Sequence, residues 1–297
     1  MGVILSLPSW TALILVIWYL KFVIRSRNYS MLTMCIGFIG VLCSELVFFL
    51  GSLNVSSQIT YNFFIFYYLT AVIACLSFLF MSLSISGLAK GRAAFIILVL
   101  AFVNFLVLLK QNAALLGITS IGYGFTRVAG PYYWIVQLTF VGSMIGGYLL
   151  LLFSAQKATS IEDKHRSFIL LFSSTVFVLC VILIVLLMQL GFSINALVIA
   201  PLGIIVFMGM LIYSERKENK FKILSLLPNT HERVVSQSTI NALLQYKSGN
   251  LQGAVSTFEK GVILSIVQEC QGNKTLAAEK LGISRATLRR KLEEYGT

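Results

Sequence analysis

SFILLFSSTVFVLCVILIVLLMQL, residues 167–190, runs through 24 positions without a charged side chain. A helix crossing the hydrocarbon core of a bilayer needs about 20 predominantly apolar residues, and soluble core helices are rarely this long and this free of charge. Six further runs of the same kind lie around it, at about 3–24, 31–51, 62–86, 93–110, 132–153 and 194–214. The whole chain of 297 residues is 58% hydrophobic and 11% charged, against about 45–50% and about 25% for a soluble globular protein. The excess is not spread evenly. Residues 1–214 hold 10 Lys/Arg and 3 Asp/Glu, whereas residues 215–297 hold 13 and 8, so the composition breaks at Ser214–Glu215. The first part reads as a seven-span membrane domain and the second as a small basic soluble one.

Loop charge orients the spans. Lys21, Arg25 and Arg27 follow the first run, Lys90 and Arg92 the third, and Lys157, Lys164 and Arg166 the fifth; Arg216, Lys217, Lys220 and Lys222 follow the seventh. The opposite side carries Lys110 and Arg127. Cationic short loops stay in the cytoplasm, which places the N-terminus outside and residues 215–297 in the cytoplasm, an orientation that seven spans also require. No cation precedes the first run, and that run is too long for a signal-peptide core, so it is read as a span. Cys35, Cys43, Cys75 and Cys180 fall within spans and Cys270 within the cytoplasmic part; none has metal-ligand spacing, and all five read as small packing residues.

Glu45, in CSELVFF, is the one acidic residue inside a run. At mid-helix such a group costs roughly 2.5–3.5 kcal/mol even on lenient insertion scales, so it must face the bundle interior, water or a partner. Asn62, Asn104, Gln137, Gln189 and Asn195 lie at similar depth, toward the outer side. Together they suit an outward-facing ligand pocket, with Glu45, Asn104 and Gln137 as members; equally, they suit interhelical hydrogen bonds. The stretch KQNAALLGITSIGYGFTRVAGP, residues 110–131, is the one long outer connection, with a content suited to a loop or short hairpin that could lid such a pocket, and Arg127 on it could pair with Glu45. Retinal chemistry is excluded by the absence of Lys from the seventh run. Ion pathways usually carry several intramembrane charges, and the spans contain no HExxH or GxSxG motif. An inert anchor needs one span rather than seven, which favours sensing.

Beyond the spans, RKENKFKILSLL is basic and amphipathic, suited to anionic lipid, and Pro228 breaks the pattern within a linker ending near residue 235. A helix is expected over about 239–246 and another over about 251–271, with Leu251, Val255, Phe258, Val262 and Ile266 on one stripe. That stripe exceeds what the small domain covers, which points to dimerisation. In GNKTLAAEKLGISRATLRRKLEEYG, residues 272–296, Asn273 is placed to cap a helix ending at Leu281, Gly282 to make the turn, and Ser284 to cap a last helix. Leu288, Leu292 and Tyr295 give that helix a core face, and Arg285, Thr287, Arg289, Arg290 and Lys291 a basic one. Such a helix suits the major groove, with arginine as guanine reader and the other cations on phosphates.

This segment closely resembles the Fis-type DNA-binding domain, also found at the end of sigma-54-dependent enhancer-binding activators. The matching residues are Gly272, Asn273, Thr275, Ala277, Ala278, Gly282, Ile283, Arg285, Thr287, Leu288, Arg289, Lys291, Leu292, Tyr295 and Gly296. The resemblance implies phosphate contacts from Asn273, Thr275, Arg289 and Arg290, base contacts from Ser284 and Arg285, and a dimer on loosely palindromic, often bent, double-stranded DNA. Glu293–Glu294 depart from the basic tail of the family's nucleoid member, which implies weaker non-specific binding. The membrane part resembles the seven-span input region of bacterial sensor histidine kinases, in its GYGF…GPYY segment and in Pro201 leading to YSERK; no kinase glycine box or phospho-acceptor His segment follows.

The expected architecture is therefore all-α: a seven-transmembrane bundle over 1–214, a juxtamembrane helix and linker over 215–235, and a helix-turn-helix domain over 236–297. The expected function is that of a one-component transcriptional regulator in the bacterial inner membrane, a non-enzyme without cofactor or metal, whose partners are DNA, lipid, a second copy of itself and a small-molecule or lipid signal. A structural tether for a chromosomal locus, or a transport-like bundle with a fused regulatory domain, are the alternatives.

Overall fold

The computed structural model describes residues 2–26, 28–51, 57–88, 91–121, 125–158, 161–192, 199–216, 226, 251–270 and 272–294. The expected helix over 239–246 and most of the 215–235 linker fall outside them. The chain divides into two compact units, Met1–Leu226 and Leu227–Thr297.

The described part of the first unit contains helices α1 (Gly2–Ser26), α2 (Tyr29–Gly51), α3 (Ser57–Ile85), α4 (Gly91–Leu109), α5 (Tyr133–Lys157), α6 (Ile161–Gln189) and α7 (Ala200–Arg216). Among the described residues, six helical stretches, one in each of α1–α6, are long and apolar enough to cross a membrane. Helix α7 is described over 17 residues, and 193–198, which the seventh apolar run includes, lie outside the description. Local chemistry sets the breaks. Asn28 caps α2 by accepting from the Met31 N–H at 3.0 Å. Gly191, at φ +86, ends α6 in the left-handed conformation that a side chain disfavours.

Helix α1 packs on α2 and α7, α2 on α3, α3 on α5, α5 on α6, and α6 on α7, which closes a ring of six. Helix α4 lies outside the ring, against α3 and α5. Close crossings use small residues, which let the helix backbones approach. A Cβ at Gly37 would meet the Ala74 backbone nitrogen at 2.8 Å, and one at Gly40 would meet Thr70 Cγ2 at 2.4 Å.

The connection 110–131 is a β-hairpin, a departure from a purely α-helical fold. Strands β1 (Leu115–Ser120) and β2 (Phe125–Ala129) pair antiparallel, with Ile118 opposite Arg127 and Thr119 opposite Thr126. β-Branched residues on both strands favour this extended pairing. The hairpin is tied down by the Tyr61 hydroxyl, which donates to the Leu115 carbonyl at 3.2 Å, and by the Gly130 N–H, which donates to Ala114 at 2.8 Å.

In the described part of the second unit, α8 (Leu251–Glu269), α9 (Lys274–Leu281) and α10 (Arg285–Glu294) pack around Ile263, Cys270, Ala277, Ala278, Leu288 and Leu292. Leu288 and Leu292 fill the core as the spacing predicts; Tyr295 lies outside the described residues.

Candidate functional site

In the second unit, local chemistry builds a helical corner. The Asn273 side chain accepts from the backbone N–H groups of Thr275 at 3.1 Å and Leu276 at 3.2 Å, which fixes the start of α9. Gly282, at φ +64, stops it, and its N–H returns to the Glu279 carbonyl at 3.1 Å. Ser284 then starts α10, its Oγ accepting from the Thr287 N–H at 3.0 Å. Ala277 and Ala278 are fully buried at the crossing, where larger side chains would force the helices apart. The three caps are those the residue types predict.

Helix α10 buries Leu288 and Leu292 and turns Arg285, Arg289 and Arg290 to solvent. Asn273, Thr275 and Ser284 are also exposed, so a basic, hydroxyl-bearing face runs along α10 and the start of α9. Three side-chain contacts of this face are not revealed by the spacing alone. The Ser284 and Thr287 hydroxyls share a hydrogen bond at 2.8 Å. Arg289 donates from Nε to Glu293 at 2.8 Å, both side chains being exposed, and Glu293 holds the guanidinium in its charged form. Lys291, half-buried, pairs with Glu259 on α8 at 2.5 Å. Arg285 and Arg290 are the other arginines that α10 presents to solvent. On α8, Val255 and Phe258 of the apolar stripe are 56% and 44% exposed, whereas Val262 and Ile266 are half-buried and Leu251 is not described at side-chain level.

In the first unit, Glu45, Asn104 and Gln137 are all buried, but the structure distributes them over separate helix contacts. Glu45 on α2 accepts from the Ser9 hydroxyl of α1 at 3.0 Å. Asn104 on α4 donates to Thr139 Oγ1 of α5 at 2.9 Å and to the Leu100 carbonyl at 2.8 Å. Gln137 on α5 accepts from Gln189 of α6 at 2.6 Å. Asn62 is exposed, and Asn195 lies outside the described residues. Arg127 does not reach Glu45; it lies 4.0 Å over the Tyr133 ring and donates to the Met188 sulfur.

A cavity of about 80 Å³ opens among α2, α3, α5, α6 and α7, and none of those three polar residues lines it. Its walls are aromatic and aliphatic. Tyr68 packs edge-on against Tyr67 and Tyr133 at centroid distances of 5.3 and 5.6 Å, and the Tyr133 hydroxyl approaches that of Tyr68 at 3.4 Å. Phe38 and Phe177 meet edge-to-face at 5.2 Å, and Phe177 stacks on Phe207 at 5.7 Å. The sequence trace of this cavity is the aromatic density of 61–68 and 132–134, which periodicity does not separate from ordinary span packing. The five cysteines are free thiols; Cys75 lines the cavity and Cys43 is exposed.

The model of the Fis family of bacterial regulatory proteins matches residues 254–295, which contain the whole corner. The DNA-binding protein Fis of Buchnera aphidicola subsp. Acyrthosiphon pisum (strain 5A) is 36% identical over 94 residues, which covers 27% of this chain and 95% of that protein. A Fis-like DNA-binding protein of Xylella fastidiosa (strain Temecula1 / ATCC 700964), described as putative in its name, is 51% identical over 35 residues, 12% of this chain and 39% of that protein. No solved structure matches the chain. Capped α9, the Gly282 turn and arginine-faced α10 thus lie within the segment that the Fis family model matches, and, with a Fis protein matched over nearly its full length, the chain belongs to the Fis family of bacterial regulatory proteins.

Proposed function

We propose that this chain is a one-component transcriptional regulator embedded in the bacterial cytoplasmic membrane, in which a seven-span bundle (1–214) receives a signal and a linker (215–235) passes it to a Fis-type domain (236–297) that binds double-stranded DNA as a homodimer. The observation that carries the reading is the joining, in one chain, of a Fis-type corner and a bundle that is apolar on its outside. Phe95, Leu98 and Phe172 are 67%, 67% and 68% exposed on that bundle, a surface whose favourable solvent is hydrocarbon. The positive-inside charge of the loops supports an outside N-terminus and a cytoplasmic C-terminal domain.

On DNA, Arg285 is assigned to a guanine edge with Ser284 beside it, and Asn273, Thr275, Arg289 and Arg290 to phosphates. Thr287 supports the start of α10 through Ser284. Lys291 combines a place on the basic face with the ion pair that fastens α10 to α8. Val255 and Phe258 supply an apolar surface for the second copy. The assigned role is regulation without catalysis.

Chromatin footprinting of the full chain tests the proposal, with Arg285→Ala as the comparison and with membranes and cytosol separated first. Discrete sites that depend on Arg285, recovered with protein in the membrane fraction, are expected. Uniform background occupancy, or protein confined to the cytosol, overturns it.

A further inference from the structure

Arg127 on β2 stands at the rim of the bundle cavity, since both of its contacts, the Tyr133 ring and the Met188 sulfur, belong to residues that line it. A thioether is a weak acceptor and an aromatic face answers a cation only in part. Its Nε is buried and has no hydrogen-bond partner. The side chain is partly exposed, and its guanidinium still lacks the planar oxygen pair that its donor fork fits best. Glu45 does not supply it: one of its oxygens accepts from Ser9, the other is buried without a hydrogen-bond partner, and neither forms an ion pair with Arg127. No acidic residue is among those lining the cavity; behind the tyrosines the wall is formed by aliphatic and phenyl groups such as Val41, Val181, Ile184 and Phe177, and Ala71, Ala74 and Ala200 leave the space open.

We propose that this cavity is the binding site for a small amphiphile with an apolar body and one anionic head, the head on Arg127 and the body between Tyr68, Phe140 and Val181. The inference rests on the reading of the bundle as the input half of a regulator, and it names the chemical class of that input. A free organic acid and an anionic bilayer lipid share this chemistry.

The test uses the full chain in phosphatidylcholine nanodiscs, titrated calorimetrically with octanoate, octanol and octylammonium, each corrected for empty discs. Octanoate is expected to bind saturably and at least tenfold more tightly than the other two. Arg127→Gln should bring octanoate to within about threefold of octanol, and Arg127→Lys should keep most of the preference. Ala71→Phe, which fills the space, should abolish saturable binding of octanoate. Discs that also contain phosphatidylglycerol distinguish the sources: competition with octanoate assigns the site to lipid, and an unchanged midpoint assigns it to a free acid. Equal affinity for the three probes, no saturable signal above empty discs, or a preference that survives Arg127→Gln overturns the proposal. DNA binding by the same discs is measured in parallel. Loss of octanoate binding with DNA binding intact sinks this site alone, while the reverse result sinks the regulator reading.

Discussion

The Arg216 guanidinium lies 4.1 Å over the ring of Trp18, joining the last turn of α7 to the second half of α1. Helix α7 leads directly into the segment that precedes the Fis-type domain, so this contact holds the exit of the bundle to its first helix. Arg216 is exposed, and a cation–π contact of that kind contributes about 0.5–1 kcal/mol. Trp18→Leu removes the aromatic face together with part of the apolar bulk. It should destabilise the bundle by at least that amount in reversible micellar unfolding and shift basal reporter output per molecule of inserted protein. Unchanged output at the reduced stability would show that the contact is structural only.

Arg285 and Arg290 are both exposed on α10 but should fail differently. Arg285→Ala should cost about 1–3 kcal/mol on the cognate site and flatten the preference among sites. Arg290→Ala should weaken all sequences alike and reduce the salt slope by about one unit. Binding isotherms on cognate and scrambled duplexes at several salt concentrations separate the two. Identical uniform losses would remove the distinction between base reader and phosphate contact.

Asn273 has a capping duty that can be separated from any DNA contact. Asn273→Ala removes the acceptor for two backbone N–H groups and should cost about 1 kcal/mol of domain stability. Asn273→Asp retains the cap and brings a negative charge toward phosphate. The aspartate variant should therefore melt near the parent while losing DNA affinity, most strongly at low salt. Thermal melts of a 227–297 fragment alongside duplex titrations check both halves.

Phe258 and Val255 leave α8 with apolar surface facing outward. Phe258→Glu should convert a dimeric 227–297 fragment to monomer at micromolar concentration and leave its helical content unchanged, since the core around Ile263 and Leu288 is untouched. Sedimentation reads the first and circular dichroism the second. A fragment that is monomeric before substitution would refute the dimer.

Glu45, engaged with Ser9, should tolerate Glu45→Gln because an amide oxygen can still accept that hydrogen bond. Glu45→Leu leaves the Ser9 hydroxyl without this acceptor in a buried place, at a cost of about 1–3 kcal/mol, and should lower the abundance of inserted protein. The response per molecule should remain normal in both. A response lost in Glu45→Gln at normal abundance would return Glu45 to the input site.

The apolar runs, the hairpin-forming composition of 110–131 and the caps at Asn273, Gly282 and Ser284 were all legible in the sequence. Hydropathy over about 20 residues and the chemistry of a cap or turn are local properties, complete within a few positions of the chain. The tertiary structure decided which side chains meet. Sequence position suggests one depth for Glu45, Asn104 and Gln137, but helices that are apolar all round carry no stripe to fix their rotation. That rotation came from small residues at crossings such as Gly37–Ala74, and it sent the three polar groups to three different helix contacts. The same packing gathered Tyr68, Tyr133, Phe177 and Met188 around one cavity and set Arg127 at its rim; residues 61 positions apart in sequence, Arg127 and Met188, met because β2 and the end of α6 lie at one end of the ring.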